Sequence, residues 1–198
     1  RWTWRPYWST INEVIKKIVD ACHRYGIRVV EHHSSHLTFD PLNSDDWDYI
    51  ERVFSIKHSS IDSWKGLREY IGTDTLIEGK LFSSFRQIDG RTGKWARSAY
   101  HGYCMCFNNP DYRKAYLSYL EEVYKTGIDG IMTDDVQWFG EGHACACSYC
   151  RKLFYEKTGY VLPDYGDEWN KFYGDYGNPV YIAWEKFRRD STADFQYL

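Results

Sequence analysis

Apolar positions recur at intervals of three and four residues from Ser9 onward, at Ile11, Val14, Ile15, Ile18, Val19 and Cys22. This is the stripe of an amphipathic helix, with Ser9 or Thr10 available to cap its amino end. Gly26 supplies a stop, and Ile27 to Glu31 follows as a short run rich in β-branched residues. The chain therefore opens as helix, tight turn and strand, half of a repeating β/α unit. His32, His33, Ser34, Ser35 and His36 stand at the carboxyl end of that strand, the edge where β/α enzymes keep their chemistry. Residues 37 to 80 lack a clean period and read as a long excursion, with short helices expected over 45–55 and 60–70. Leu81 to Ile88 alternates weakly, and Asp89-Gly90-Arg91-Thr92-Gly93-Lys94 has the chemistry of a turn joining it to Trp95–Tyr100 in a hairpin.

Asn109-Pro110-Asp111 begins a second helix, with Tyr112, Ala115, Tyr116, Tyr119, Leu120 and Val123 on one face and Gly127 after its end. Ile128 to Thr133 is the next strand and runs into Asp134-Asp135. A cysteine-rich loop, a helix near Ser148 to Lys157, a loop with Gly159 and Pro163, and a helix from Pro179 to Phe195 complete the pattern. Strand alternating with helix implies a parallel sheet with right-handed crossovers. The expected class is α/β, of the (β/α)8 TIM-barrel type. At 198 residues the chain falls short of the roughly 250 of a complete barrel. Two or three units are visible without an internal repeat, so residues 1–198 are expected to form part of a barrel.

The formal charge of -3, a pI near 6.2 and the absence of basic runs exclude a nucleic-acid or membrane-surface partner. They point to a neutral or small substrate. No apolar stretch approaches the length of a membrane-spanning helix, and no signal peptide is recognisable at the Arg1 start. Aromatic residues make up 19% of the chain, with 9 Trp and 18 Tyr. That is a surplus suited to stacking on sugar faces, with plain packing as the equal alternative. Assembly as a homo-oligomer is left open.

Five of the six cysteines are clustered. Cys145, Cys147 and Cys150 form C-x-C-x-x-C, and Cys104 and Cys106 precede them across one helix and one strand. Thiolates at this spacing can face one zinc ion at a distance of about 2.3 Å, with a distant fourth sulfur closing the tetrahedron into a structural site. Cys106 is the expected fourth ligand, with Cys104 or His143 as substitutes. Disulfides, strained at this spacing, and free thiols are the alternatives. Clustered metal-type cysteines also favour the cytoplasm over an oxidising compartment. Cys22 belongs to the first helix's apolar stripe and reads as core.

Cys106-Phe107-Asn108-Asn109-Pro110-Asp111-Tyr112-Arg113, the strand ending Thr133-Asp134-Asp135, the three later cysteines, and Phe154 with Gly159 together resemble glycoside hydrolase family 42. That family places a Cys before a Pro-x-Tyr-Arg helix, then a strand ending in Asp-Asn-Glu, then a C-x-C-x-x-C zinc loop. The resemblance covers roughly residues 104–163 and implies a barrel hydrolase with structural zinc and a carbohydrate substrate. The chain departs from it where the family's acid/base Glu stands, because here the residues read Asp134-Asp135-Val136. Asp129-Gly130 followed by Asp134 is also similar to α-fucosidase-like hydrolases, whose Asp at this strand tip is the nucleophile.

Cleaving an O-glycosidic bond takes two carboxyl groups. The resemblance makes Asp134 the expected catalytic carboxylate, with Asp135 contributing as acid/base or substrate contact. Neighbouring strand residues point to opposite faces, so the two are not expected to form a regular pair. A role as caps or loop carboxylates is the alternative for both, and Glu141 is a further candidate partner. His32, His33 and His36 could donate to sugar hydroxyls, with Glu31 beside them, and metal binding or structural hydrogen bonding are the other readings. Arg86 and Trp138, with Trp95 and Phe139, are candidate pocket walls. If no catalytic pair forms, the alternative function is a zinc-stabilised module that binds carbohydrate or serves as a scaffold.

Overall fold

Helix α1 spans Trp8–His23. It begins one residue before the expected cap, so Ser9 and Thr10 lie in its first turn. In the computed structural model of the chain, the described residues are 8–33, 37–38, 76–77, 79–97, 102–134 and 136–197. The expected helices at 45–55 and 60–70 lie outside them. Only part of the α1 stripe is covered: Val19 is fully buried, whereas Val14 and Ile18 are half exposed. The chain then turns through Gly26, whose φ of 68° is a left-handed conformation that costs glycine little. It enters strand β1, Val30–His33.

The second unit repeats this construction. Helix α2, Pro110–Tyr124, starts where Asn109 Oδ1 accepts the backbone N–H groups of Asp111 and Tyr112 at 3.0 and 3.3 Å. Pro110 at the first helical position needs no donor there. Gly127, at φ 81°, turns the chain into strand β6, Gly130–Thr133. Strands β1 and β6 pair in parallel, in register from Val30↔Gly130 to His33↔Thr133. Asn12 Nδ2 reaches Glu122 O at 3.1 Å, tying α1 to α2.

Asp129 clamps the start of the parallel pair. Its carboxylate accepts Val29 N–H at 2.7 Å and lies 2.8 Å from His23 Nε2. The backbone hydrogen bond first, then His23, holds the Asp129 pKa below the ordinary 3.8. A depressed carboxyl contributes stability above the unfolded-state pKa and loses it as pH falls through the folded value. Asp129→Asn should therefore unfold at lower urea than the parent at about pH 6, and the gap between them should close below roughly pH 4. Equal midpoints at about pH 6 would remove Asp129 from the clamp.

The fold is not a (β/α)8 barrel. Among the described residues there are five α-helices and one parallel pair of strands. The remaining strand pairs are antiparallel: β2 (Leu37–Thr38) with β5 (Tyr103–Cys104), and β3 (Leu76–Ile77) with β4 (Lys80–Leu81). A 3₁₀ turn at Phe82–Phe85 follows β4. Helices α3 (Ser148–Thr158), α4 (Asp167–Phe172) and α5 (Pro179–Gln196) then succeed one another with no strand between them. The local alternation of helix and strand is real at both β/α units. A barrel also requires each further helix to return to a parallel strand, and here α3 to α5 pack on one another instead.

That packing is aromatic. Trp169 lies edge-on to Trp184 at 5.8 Å, Phe154 edge-on to Trp184 at 5.7 Å, and Phe195 stacks on Phe107 at 4.9 Å and on Tyr116 at 5.5 Å. Much of the aromatic surplus is thus consumed by the core, at about 0.5–1.5 kcal/mol per well-placed pair beyond area burial. The expected hairpin is present around its turn, and residues 98–100 of its second arm lie outside the described residues: Asp89 N–H bonds Lys94 O at 2.8 Å, Ala96 N–H bonds Gln87 O at 2.8 Å, and Ile88 bridges Trp95. Among the described residues no helix is long and apolar enough to cross a membrane.

Candidate metal centre

Cys147 ends the loop before α3 as its N-cap, and Cys150 lies in the helix's first turn. Cys145 sits in the preceding loop, and Cys106 follows β5. All four are buried and free. Their sulfurs lie within 4.8 Å of one another, with Cys106 Sγ 3.5 Å from both Cys147 Sγ and Cys150 Sγ. A zinc-to-sulfur distance of about 2.3 Å would place tetrahedral thiolates about 3.8 Å apart, so the spacing suits a metal ion. Cys104 lies outside this group and turns its thiol to Met105 O.

Two further groups complete the cluster. Ile88 N–H donates to Cys145 Sγ at 3.3 Å. Asn108 Nδ2 donates to Cys150 Sγ at 3.4 Å and to Ser191 Oγ of α5 at 3.1 Å. Such donors stabilise thiolate. Burial pushes the Cys106 and Cys150 thiols well up. Cys147 is held well below its ordinary value by hydrogen bonds from Cys106, Cys145 and Cys150. Four thiols thus share a dry site, an arrangement a divalent cation would complete by displacing their protons.

The loop carrying these sulfurs is held from outside by its own carbonyl groups. His143 O accepts Gly90 N–H at 3.1 Å. Arg188 of α5 donates to Gly142 O and Ala144 O. Ala146 O accepts Arg151 Nε and Tyr165 Oη, both at 2.9 Å. Buried backbone acceptors demand such partners, and here the 89–94 turn, α3, α5 and the loop before α4 supply them. His143, the alternative ligand, instead accepts Trp169 Nε1–H at 3.1 Å and stacks on Tyr173. Burial and then the nearby Arg91 charge lower its pKa.

The proposed carboxylate lies at the other end of this segment. Asp134 follows β6 directly, and its N–H bonds His33 O at 2.7 Å. His32 Nε2 lies 3.1 Å from Asp134 Oδ2, and both side chains are about half exposed, at 56% and 55%. The strand pleat explains the meeting: His32 is in register with Met132, which shares a face with Asp134 two residues on. His33 points the other way. It is buried, with Nε2 2.9 Å from Glu31 Oε1 and 3.4 Å from the Tyr119 hydroxyl. His32 and His33 therefore have separate partners, and His36 and Asp135 lie outside the described residues.

The other candidates are distributed over the fold. The buried Arg86 guanidinium lies between the Trp95 and Tyr103 rings, at 4.3 and 4.5 Å. Trp138 packs edge-on to Phe107 at 4.9 Å, and Phe139 is buried. Glu141 is exposed and pairs with Arg91 at 2.7 Å. Sequence reasoning missed Gln87, Asn108, Ser191 and Arg188 as supports of the loop. Helix α4 is a further element that the sequence signals only weakly, through Trp169 and Phe172 three apart after Asp167-Glu168. Comparison with protein families, curated proteins and solved structures finds no match.

Proposed function

We propose that this chain is a hydrolase of O-glycosidic bonds in which Asp134 is a catalytic carboxylate, and that Cys106, Cys145, Cys147 and Cys150 hold a structural zinc ion. The donor set supports zinc: four sulfurs at tetrahedral spacing, hydrogen-bonded from Ile88 and Asn108, leave no position for substrate. Such an ion supplies cross-linking rather than chemistry, joining the Cys106 segment to the loop beyond Asp134.

The observation that carries the catalytic reading is the placement of Asp134. It stands half exposed at the carboxyl end of one of two parallel strands, hydrogen-bonded to His32 from the other. Ligands of open α/β sheets bind at this edge. The motif resemblance over residues 104–163 supports a carbohydrate as the substrate. In that chemistry one carboxylate attacks the sugar or activates water while a second carboxyl group protonates the leaving oxygen. Asp134 takes the first role, His32 orients its carboxylate, and Asp135 contributes as acid/base or substrate contact. The alternative is binding of carbohydrate without cleavage, favoured by Val136 at the place of the family's acid/base.

The test is Asp134→Asn assayed against a panel of aryl glycosides. The parent should hydrolyse one of them, and the variant should lose about 1,000-fold in kcat. The variant should keep the parental fold and one zinc per chain by metal analysis. Full activity in the variant would remove Asp134 from the reaction. Saturable sugar binding without turnover in the parent would establish the alternative.

A further inference from the structure

Gln87 is fully buried and spends its entire side-chain amide on backbone. Nε2 donates to Met105 O at 3.1 Å and to Gln137 O at 3.0 Å, while Oε1 accepts Phe139 N–H at 2.9 Å. The two donations and one acceptance join segments far apart in sequence. Met105 immediately precedes the ligand Cys106, and Gln137 lies three residues beyond Asp134.

The backbone around Gln87 belongs to the cysteine cluster. Gln87 N–H bonds Cys104 O at 2.8 Å, Cys106 N–H bonds Phe85 O at 2.7 Å, and Ala146 N–H bonds Ile88 O at 2.8 Å. Ile88 N–H reaches Cys145 Sγ. Residues 85–88 thus form a crosspiece with sulfur-bearing chain on both sides. From this crosspiece one side chain extends to the loop that leaves Asp134.

We infer that Gln87 is a positioning residue for Asp134, tying the loop at 137–139 to the crosspiece on which the cysteine cluster is built. The inference rests on the proposed role of Asp134. The chemistry requires an amide. An apolar side chain of equal length would take the amide away from Met105 O and Phe139 N–H in a dry interior and from the part-buried Gln137 O. Glutamate would keep the acceptor for Phe139 but lose the paired donors. The four sulfurs do not touch the Gln87 side chain in any of these bonds, so metal binding and loop positioning can be separated experimentally.

The test compares Gln87→Met and Gln87→Glu with the parent for metal content, steady-state kinetics and amide hydrogen exchange. Both variants should retain one metal ion per chain. Gln87→Met should exchange its Phe139 amide faster and lose on the order of 100-fold in kcat, the effect of a small misplacement of a reacting group, with KM changed far less. Gln87→Glu should recover part of that loss through its remaining acceptor, and it decides the matter if the methionine variant does not fold. Parental kcat and parental Phe139 exchange in the variants would overturn the inference. If the parent itself hydrolyses no glycoside, the proposed function fails and the inference is judged on resonances. Shifted Asp134 amide and side-chain signals in the variants then support positioning, and unshifted signals overturn it.

Discussion

Cys150→Ala is expected to melt at the temperature of the parent treated with chelator, and to be insensitive to chelator itself. Cys150 is fully buried, its sulfur lies 3.5 Å from Cys106 Sγ, and Asn108 donates to it. Removing it leaves three sulfurs and takes away one of the two hydrogen bonds that Asn108 Nδ2 donates. An ion present at a thousandfold its Kd contributes about 4 kcal/mol to the folded state. In a domain of this size that corresponds to roughly 8–16 °C in Tm. The effect should be concentrated in the loop before α3, because the cross-link joins Cys106 to Cys145 and Cys147 across a gap in sequence. Thermal melts of both proteins with and without chelator measure it. A parent indifferent to chelator, with no metal by elemental analysis, would show that the cluster is four free thiols.

Gly90→Ala should be the most damaging small substitution in the hairpin. The φ of Gly90 is not among the positive ones, so its reason for being glycine is space. An added Cβ would stand 1.9 Å from Trp169 Cε2 and 2.1 Å from Cδ2. Neither side can yield easily. Gly90 N–H is bonded to His143 O at 3.1 Å and Gly90 O accepts Gly166 N–H at 3.2 Å. Trp169 is fully buried, bonds His143 Nδ1, and lies against Phe172 and Trp184. Overpacking typically costs about 1–3 kcal/mol, and a clash against a ring fixed on several sides belongs at the top of that range. Urea denaturation should show a midpoint well below the parent's. Trp169→Phe in the same chain should recover part of the loss, a coupling expected only of residues in contact. Additive losses in the double variant would place the damage elsewhere.

The resemblance to family 42 and the structure bear on different parts of the chain. Of the motif residues, Cys106 and the C-x-C-x-x-C sulfurs meet in one buried cluster that could hold a metal ion, and Asn109-Pro110 starts a helix. The wider expectation of a barrel does not carry over, because it requires parallel strands that the described residues do not supply. Local motifs and global topology are separable here. Ligand spacing depends on a few residues in one loop, whereas sheet order depends on how every helix returns.

The sequence alone determined the elements whose causes are local. The stripe of α1, the Asn109-Pro110 start of α2, the glycines ending both units, the Ser148 and Pro179 helices and the place of Cys106 in the cysteine cluster were all legible from periodicity, caps and thiol spacing. Tertiary structure decided what depends on contacts distant in the chain. It set the parallel register that brings His32 to Asp134 while turning His33 toward Glu31 and Tyr119. It paired β2 with β5 against the barrel pattern, and it made Gln87 the tie between Met105 and the backbone of Gln137 and Phe139. It also left no room at Gly90 for even a methyl group. The physical reason is that periodicity reports which face of an element is apolar, but not which surface covers it. A buried amide or a missing side chain acquires its meaning only from partners that folding brings within a few ångströms.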